Sequence, residues 1–164
     1  MGCNAPVYNK YRYDLYSTII REKADAKGRQ VPPDSLKNER LMSPLITKAV
    51  QDEFSRRHML RLAPEPEPYK RNLAHINRQD RLPLFKYMAT WNFTNQLPTI
   101  QTPTLLLGSR YDFIPAFSYT TMHRQLPHSQ VYICPDGSHF AMWDDPQHYF
   151  PALLKFLKKT ARND

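Results

Sequence analysis

An aspartate and a histidine, each placed just after a short apolar run, are the residues of this sequence best suited to acid–base chemistry. Residues 104–107 (TLLL) are closed by Gly108 and lead to Asp112, and residues 131–134 (VYIC) end at Pro135 and lead to His139. Short apolar runs bounded by glycine and proline are typical of buried strands. A loop at the end of a core strand is positioned by a rigid scaffold. A histidine there can therefore occupy the fixed position that a general base requires. The alternative interpretation is a turn aspartate and a surface histidine without a catalytic role.

The order of these two residues favours the catalytic interpretation. Asp112 precedes His139 by 27 residues. Acid before base is the end of the Ser…Asp…His order that α/β-hydrolases show along their chains. We therefore identify Asp112 and His139 as candidate catalytic residues.

The sequence around both residues resembles one family of that superfamily. The strongest motifs are residues 103–108 (PTLLLG) with Tyr111-Asp112, and residues 134–145 (CPDGSHFAMWDD), and residues 149–150 and 154–157 continue the likeness. Upstream, residues 6–11 look like the segment that enters the family's cap, and Phe54, His58, Leu60 and Arg61 resemble a cap helix. Together these segments resemble the C-terminal part of proline iminopeptidases, which are prolyl aminopeptidases.

The resemblance implies an α/β fold, namely the C-terminal portion of an α/β-hydrolase fold. A helical cap over residues 1–90 would precede the last strands and helices of a parallel sheet in residues 91–164. Hydrophobic spacing agrees, because it predicts helices over about 9–27 and 43–60 and a short third helix with Tyr69, Leu73 and Ile76. A crossover helix over 115–126 should join the two strands. Pro151 should either mark the start of the last helix or kink it.

The resemblance implies a mechanism with a serine nucleophile, and this sequence lacks the motif that would supply that serine. A serine would attack a carbonyl, His139 would take and return its proton, and Asp112 would orient the imidazole. The four glycines, Gly2, Gly28, Gly108 and Gly137, nowhere bracket a serine as Gly-x-Ser-x-Gly. We therefore expect a hydrolase fragment that is inactive alone, whose missing half was lost by truncation or lies on a separate partner chain.

The resemblance also suggests a substrate, a peptide with a free N-terminus. Acidic residues hold the ammonium group in this family, and one directly follows the triad aspartate. Here Phe113 follows Asp112, and Asp80 is the only acidic residue within residues 78–83. Substrate-binding residues therefore stay unidentified. An esterase-like α/β-hydrolase, or a non-catalytic remnant acting in protein interaction, remains the alternative.

Length, composition and charge restrict the range of possible functions further. The 164 residues suffice for a domain with a core, and 41% hydrophobic content favours a globular fold. The net charge is +8, and most of the excess positive charge lies in residues 1–90. These charges are scattered along the sequence and form no recognisable nucleic-acid-binding motif. No apolar run is long enough for a membrane span. Cys3 and Cys134 form neither a disulfide framework nor a zinc motif. We expect a cytoplasmic protein with no metal, cofactor, nucleic acid or membrane partner.

Overall fold

The computed structural model describes residues 5–75 and 92–161. The predicted boundary between 90 and 91, and the predicted roles of Ile76, Asp80 and Trp91, lie outside these residues. That division into two regions therefore stays a prediction.

The described residues up to 75 contain helices and turns and no strand. The α-helices are α1 (Ala5–Asp25), α2 (Glu39–Met42), α3 (Lys48–Phe54) and α4 (Glu67–Ala74). Short 3₁₀ turns span Pro33–Leu36 and Ser43–Leu45, and α3 continues as a π-helical turn, Ser55–Met59. The peptide bond between Ala63 and Pro64 is cis.

The predicted first helix is present as α1, and it ends shortly before Gly28, the residue predicted to stop it. Gly28 has a φ of 62°, the left-handed conformation that glycine adopts without strain after a helix end. The predicted helix over 43–60 is wrong at its start. Ser43 and Pro44 open a 3₁₀ turn, the chain leaves helical geometry at Ile46 (ψ 71°), and α3 begins only after Thr47. A serine–proline pair suits the first turn of either helix type, so it does not predict how far the helix continues.

The helices before residue 75 enclose a core of their own. It is formed by buried apolar side chains of α1, α2 and α3, with the ring of Tyr16 stacked 4.1 Å from that of Phe54; the buried members are Ile19, Ile20, Met42, Val50 and Phe54. Phe113, next to Asp112, packs against this core. The helical region therefore touches the loop that carries the candidate acid.

The second half contains the predicted parallel strand pair. β1 (Thr104–Ser109) and β2 (Ser129–Cys134) pair in register from Thr104 opposite Ser129 to Ser109 opposite Cys134. Helix α5 (Ala116–His123) connects them, and a 3₁₀ turn, Thr94–Thr99, precedes β1. A small core of Leu97, Leu106 and Leu126 lies beneath this unit. The predicted strand–helix–strand unit is confirmed.

Two helices follow β2. The short α6 (Ala141–Asp144) comes directly after His139, and α7 (Pro146–Thr160) is the last helix. Pro151 lies inside α7, which excludes the first of the two predicted alternatives, a helix that begins at Pro151. Among the described residues, no helix is long and apolar enough to cross a membrane.

Candidate active site

The two candidate residues lie on loops at the carboxyl ends of adjacent parallel strands. Asp112 follows β1 and His139 follows β2, and backbone bonds join the two loops. The amide of Arg110 donates to the carbonyl of Cys134, and that of Tyr111 donates to the carbonyl of Gly137, both at 3.0 Å. The sheet register therefore determines where both side chains stand.

Asp112 is held rigidly by its own loop. Its side chain is only 5% exposed, and Oδ1 accepts a hydrogen bond from the amide of Ile114 at 3.0 Å. This local turn is one that aspartate forms readily. The hydroxyl of Tyr119 lies 3.5 Å from Oδ2. Burial, together with the charge of Asp112, raises the pKa of Tyr119, so the phenol stays protonated.

The imidazole of His139 faces this carboxylate. Nδ1 of His139 lies 3.1 Å from Oδ1 of Asp112. Because a carboxylate only accepts, Nδ1 carries the proton in this pair, and Nε2 of the neutral ring is left as the acceptor. The histidine side chain is 31% exposed. The structure thus brings the two predicted residues together in the geometry that a general base and its orienting acid require.

Aromatic rings surround the histidine. The ring of Phe113 lies 4.3 Å from that of His139, and the ring of Phe140 lies 5.2 Å from it, edge to face. Tyr69 of α4 stacks edge-on against Phe140 at 5.2 Å. Among the described residues, two phenylalanine rings therefore flank the imidazole of His139 beside the carboxylate of Asp112.

Segment 58–61, which comprises the last two residues of the π-helical turn and the two that follow, contacts both loops. Nδ1 of His58 donates to the carbonyl of Tyr111 at 2.9 Å. The guanidinium of Arg61 lies 3.6 Å above the ring centroid of Tyr111 and donates to the carbonyl of Asp136 at 3.0 Å. Burial lowers the pKa of His58, so its ring is neutral near pH 7. The family resemblance places His58 and Arg61 in a cap helix and does not indicate these contacts. His58 is helical, but the helix ends at Met59, so the resemblance is wrong for Arg61.

Two serines lie close to the pair and are not placed as nucleophiles. Ser138 is completely buried, and its hydroxyl contacts the carbonyl of Met59 at 2.8 Å and the carboxylate of Asp144. Ser109, at the end of β1, is 5% exposed. Their positions serve the packing of the two loops.

A cluster that sequence reasoning did not single out lies at the start of α7. Ligand-type atoms of Asp136, Asp145 and His148 fall within 4.8 Å of one another. Asp145 is fully buried, accepts the amide of Asp136 at 3.0 Å and contacts Nδ1 of His148 at 2.5 Å. Its charge also contributes to raising the pKa of Cys134 to about 11, an effect due first to burial of the thiol. These bonds tie the loop after β2 to the last helix.

Helices packed against the loops at the carboxyl ends of two parallel strands are the arrangement found in the C-terminal portion of an α/β-hydrolase fold. A solved proline iminopeptidase of Mycobacterium smegmatis has the same fold, with a TM-score of 0.68 at 17% sequence identity, over 96% of this chain and 54% of that one. The chain therefore has this fold, as its motifs predict.

Sequence comparison identifies the relatives. The chain is 27% identical to a proline iminopeptidase of Elizabethkingia meningoseptica over 96% of its length and 55% of the relative's. It is 25% identical to one of Flavobacterium johnsoniae, over 96% and 54%. No family model matches the chain. The chain is similar to proline iminopeptidases along nearly its whole length, and it spans about half the length of the relatives it matches.

Proposed function

We propose that this chain supplies the acid and the base of a proline iminopeptidase-like hydrolase that works by acyl transfer. The observation that carries the proposal is the 3.1 Å contact between Nδ1 of His139 and Oδ1 of Asp112 at the ends of adjacent parallel strands. Similarity to enzymes of that name supports the reaction class.

In the proposed mechanism, Nε2 of His139 takes the proton from a serine hydroxyl as that oxygen attacks the substrate carbonyl. The imidazolium that forms is stabilised by the buried carboxylate of Asp112. His139 then gives the proton to the leaving amine as its bond to the acyl carbon breaks. Next His139 takes a proton from water, the water oxygen attacks the acyl carbon, and the proton passes to the serine oxygen as the acyl–serine bond breaks. Since these residues contain no Gly-x-Ser-x-Gly, the serine comes from another segment, in the same protein or in a partner chain.

The proposed substrate is a peptide whose N-terminal proline is released, as the names of the relatives suggest. One observation favours a second candidate, an esterase-like hydrolase. Phe113 directly follows Asp112 and places an aromatic ring 4.3 Å from the ring of His139, where the resemblance leads us to expect an acidic residue. Phenylalanine at this position supplies no carboxylate to pair with an ammonium ion, which favours an uncharged acyl group.

The test is activity of the complete product of the gene that encodes these residues. It is assayed on prolyl arylamide, on the same compound with an acetylated amino group, and on an aryl ester. The His139→Ala variant should lose activity on every substrate that the parent cleaves. The matched control is His148→Ala, because His148 also contacts an aspartate, Asp145, outside the proposed site, and it should retain activity.

The pattern of substrates distinguishes the candidates. Cleavage of the free arylamide alone supports the aminopeptidase, whereas cleavage of the acetylated compound or the ester supports the esterase-like alternative. A complete gene product that cleaves none of them and has no serine reactive toward fluorophosphonate would refute both, leaving a non-catalytic remnant.

A further inference from the structure

His58 belongs to the helical region, yet it contacts both loops of the acid–base pair. We propose that His58 is a positioning residue for Asp112 and His139: its ring holds the Asp112 loop, and its main chain holds the His139 loop. The proposal rests on the proposed function for the use of the pair, but the positioning itself is a property of this chain.

The contact through the ring fixes the loop that precedes Asp112. Nδ1 of His58 lies 2.9 Å from the carbonyl oxygen of Tyr111, the residue before Asp112. A carbonyl only accepts, so Nδ1 of His58 carries a proton. The direction of the His58 ring is held in turn by Phe54, whose ring centroid lies 5.3 Å away.

The contact through the main chain fixes His139. The amide of His139 donates to the carbonyl of His58 at 3.1 Å, and the amide of Phe140 donates to the carbonyl of Met59 at 3.0 Å. These two consecutive hydrogen bonds hold residues 58–59 and residues 139–140 in a single register. His58 therefore bonds to the neighbour of the acid and to the base itself.

Arg61 extends the attachment on the same segment. Its amide donates to Oδ2 of Asp144 at 3.0 Å, and its guanidinium donates to the carbonyl of Asp136 while stacking on Tyr111. Segment 58–61 is thus attached both to the loop that carries Asp112 and to the residues around His139. We expect a displacement of this segment to change the distance between Asp112 and His139.

The experiment measures, by NMR on the chain, how fast the Nδ1 ring proton of His139 exchanges with water. His58→Phe keeps an aromatic ring against Phe54 but removes the hydrogen bond to Tyr111. We expect this variant to exchange the His139 ring proton about tenfold faster, the change that loss of one hydrogen bond permits. Backbone amides of β1 and β2 should stay within about twofold, because they lie outside the contact.

His75→Phe is the matched control. Nδ1 of His75 also bonds a backbone carbonyl, that of Arg71 at 2.7 Å, but in an exposed helix end away from the pair. This variant should leave the His139 ring proton unchanged. The proposal is overturned if His58→Phe leaves that exchange unchanged, or if ring proton and strand amides accelerate together, since His58 would then be merely structural.

Two milder variants keep the test decisive if His58→Phe does not fold. In His58→Asn the amide nitrogen occupies the place of Nδ1, whereas in His58→Gln it occupies the place of Nε2. Slow exchange of the His139 ring proton in His58→Asn and fast exchange in His58→Gln support the proposal; equal rates contradict it. The expected NMR result together with an inactive complete gene product would refute the proposed function and leave the positioning role standing.

Discussion

The hydroxyl of Ser138 lies 2.8 Å from the carbonyl oxygen of Met59, which precedes it by 79 residues. The serine next to the candidate base is thus used to attach the β2 loop to the helical region. Its complete burial and its contacts to Met59 and Asp144 leave the hydroxyl no access to a substrate.

We expect the chain alone to be unreactive toward fluorophosphonate at Ser138 and Ser109, because both hydroxyls are buried. It should also hydrolyse neither prolyl arylamide nor simple esters. Peptide mass spectrometry after labelling, with an active serine hydrolase as the positive control, checks the first point. Turnover by the purified chain that His139→Ala abolishes would contradict the prediction.

Removing the carboxylate of Asp112 should destabilise the chain. Asp112→Ala leaves the amide of Ile114 and Nδ1 of His139 without their acceptor, at a cost of about 2–3 kcal/mol in the free energy of unfolding. Asp34→Ala removes an exposed carboxylate paired with Lys37 and should change that free energy by less than about 0.5 kcal/mol. Urea unfolding compares the two, and equal losses would show that Asp112 is not held as described.

Gly137 allows the His139 loop to pack closely. A Cβ at this position would lie 2.7 Å from Cβ of Ala141 and 3.1 Å from Oγ of Ser109. Gly137→Ala should therefore cost about 2–3 kcal/mol through overpacking. In Gly28→Ala the new methyl meets nothing within 4 Å, so only the left-handed conformation is strained, at about 1–2 kcal/mol. Gly137→Ala should also disturb the NMR signals of His139, which Gly28→Ala should leave in place.

His58 should make the chain less stable in mild acid. Burial lowers its pKa in the folded chain below the ordinary value of 6.5, so the unfolded chain binds the proton first. The contribution of the neutral ring is therefore complete above pH 6.5 and is lost as pH falls through the folded pKa. His58→Asn cannot be protonated, so its unfolding free energy should fall less between pH 7.5 and pH 5. Parallel pH dependence in the two proteins would contradict this assignment.

Helix α7 exposes an apolar stripe that should promote self-association. Phe150, Leu154 and Leu157 lie on one side of the helix and are 45%, 51% and 49% exposed. A contiguous exposed patch of large apolar side chains favours contact with another surface. Light scattering should show association that Leu154→Lys weakens, whereas Lys155→Gln, on a different side of the same helix, should not weaken it. A monodisperse monomer would mean that this stripe does not drive association.

The strand pair and the contact between Asp112 and His139 are predictable from the sequence because their signals are local. Apolar runs of four residues closed by glycine or proline mark β1 and β2, and parallel strands bring their carboxyl ends to one edge. Asp112 and His139 follow those ends directly, so their proximity follows from the topology.

The contacts of segment 58–61 are not predictable in this way. They join residues 53 to 83 positions apart, and several of them end on backbone carbonyls, which every residue possesses. The start of α3 could not be predicted either, because Ser43 and Pro44 suit a 3₁₀ turn as well as an α-helix. Only tertiary packing decides between these outcomes.

The different sequence separations of these contacts imply an order of folding. The loop closed by Asp112 and His139 contains 27 residues, whereas the contact between Met59 and Ser138 closes 79. The longer closure costs about 1 kcal/mol more conformational entropy, by the logarithmic dependence on loop length. We expect the β1–α5–β2 unit to bring the acid and the base together early, and the attachment of the helical segment to follow as a slower step that completes their alignment.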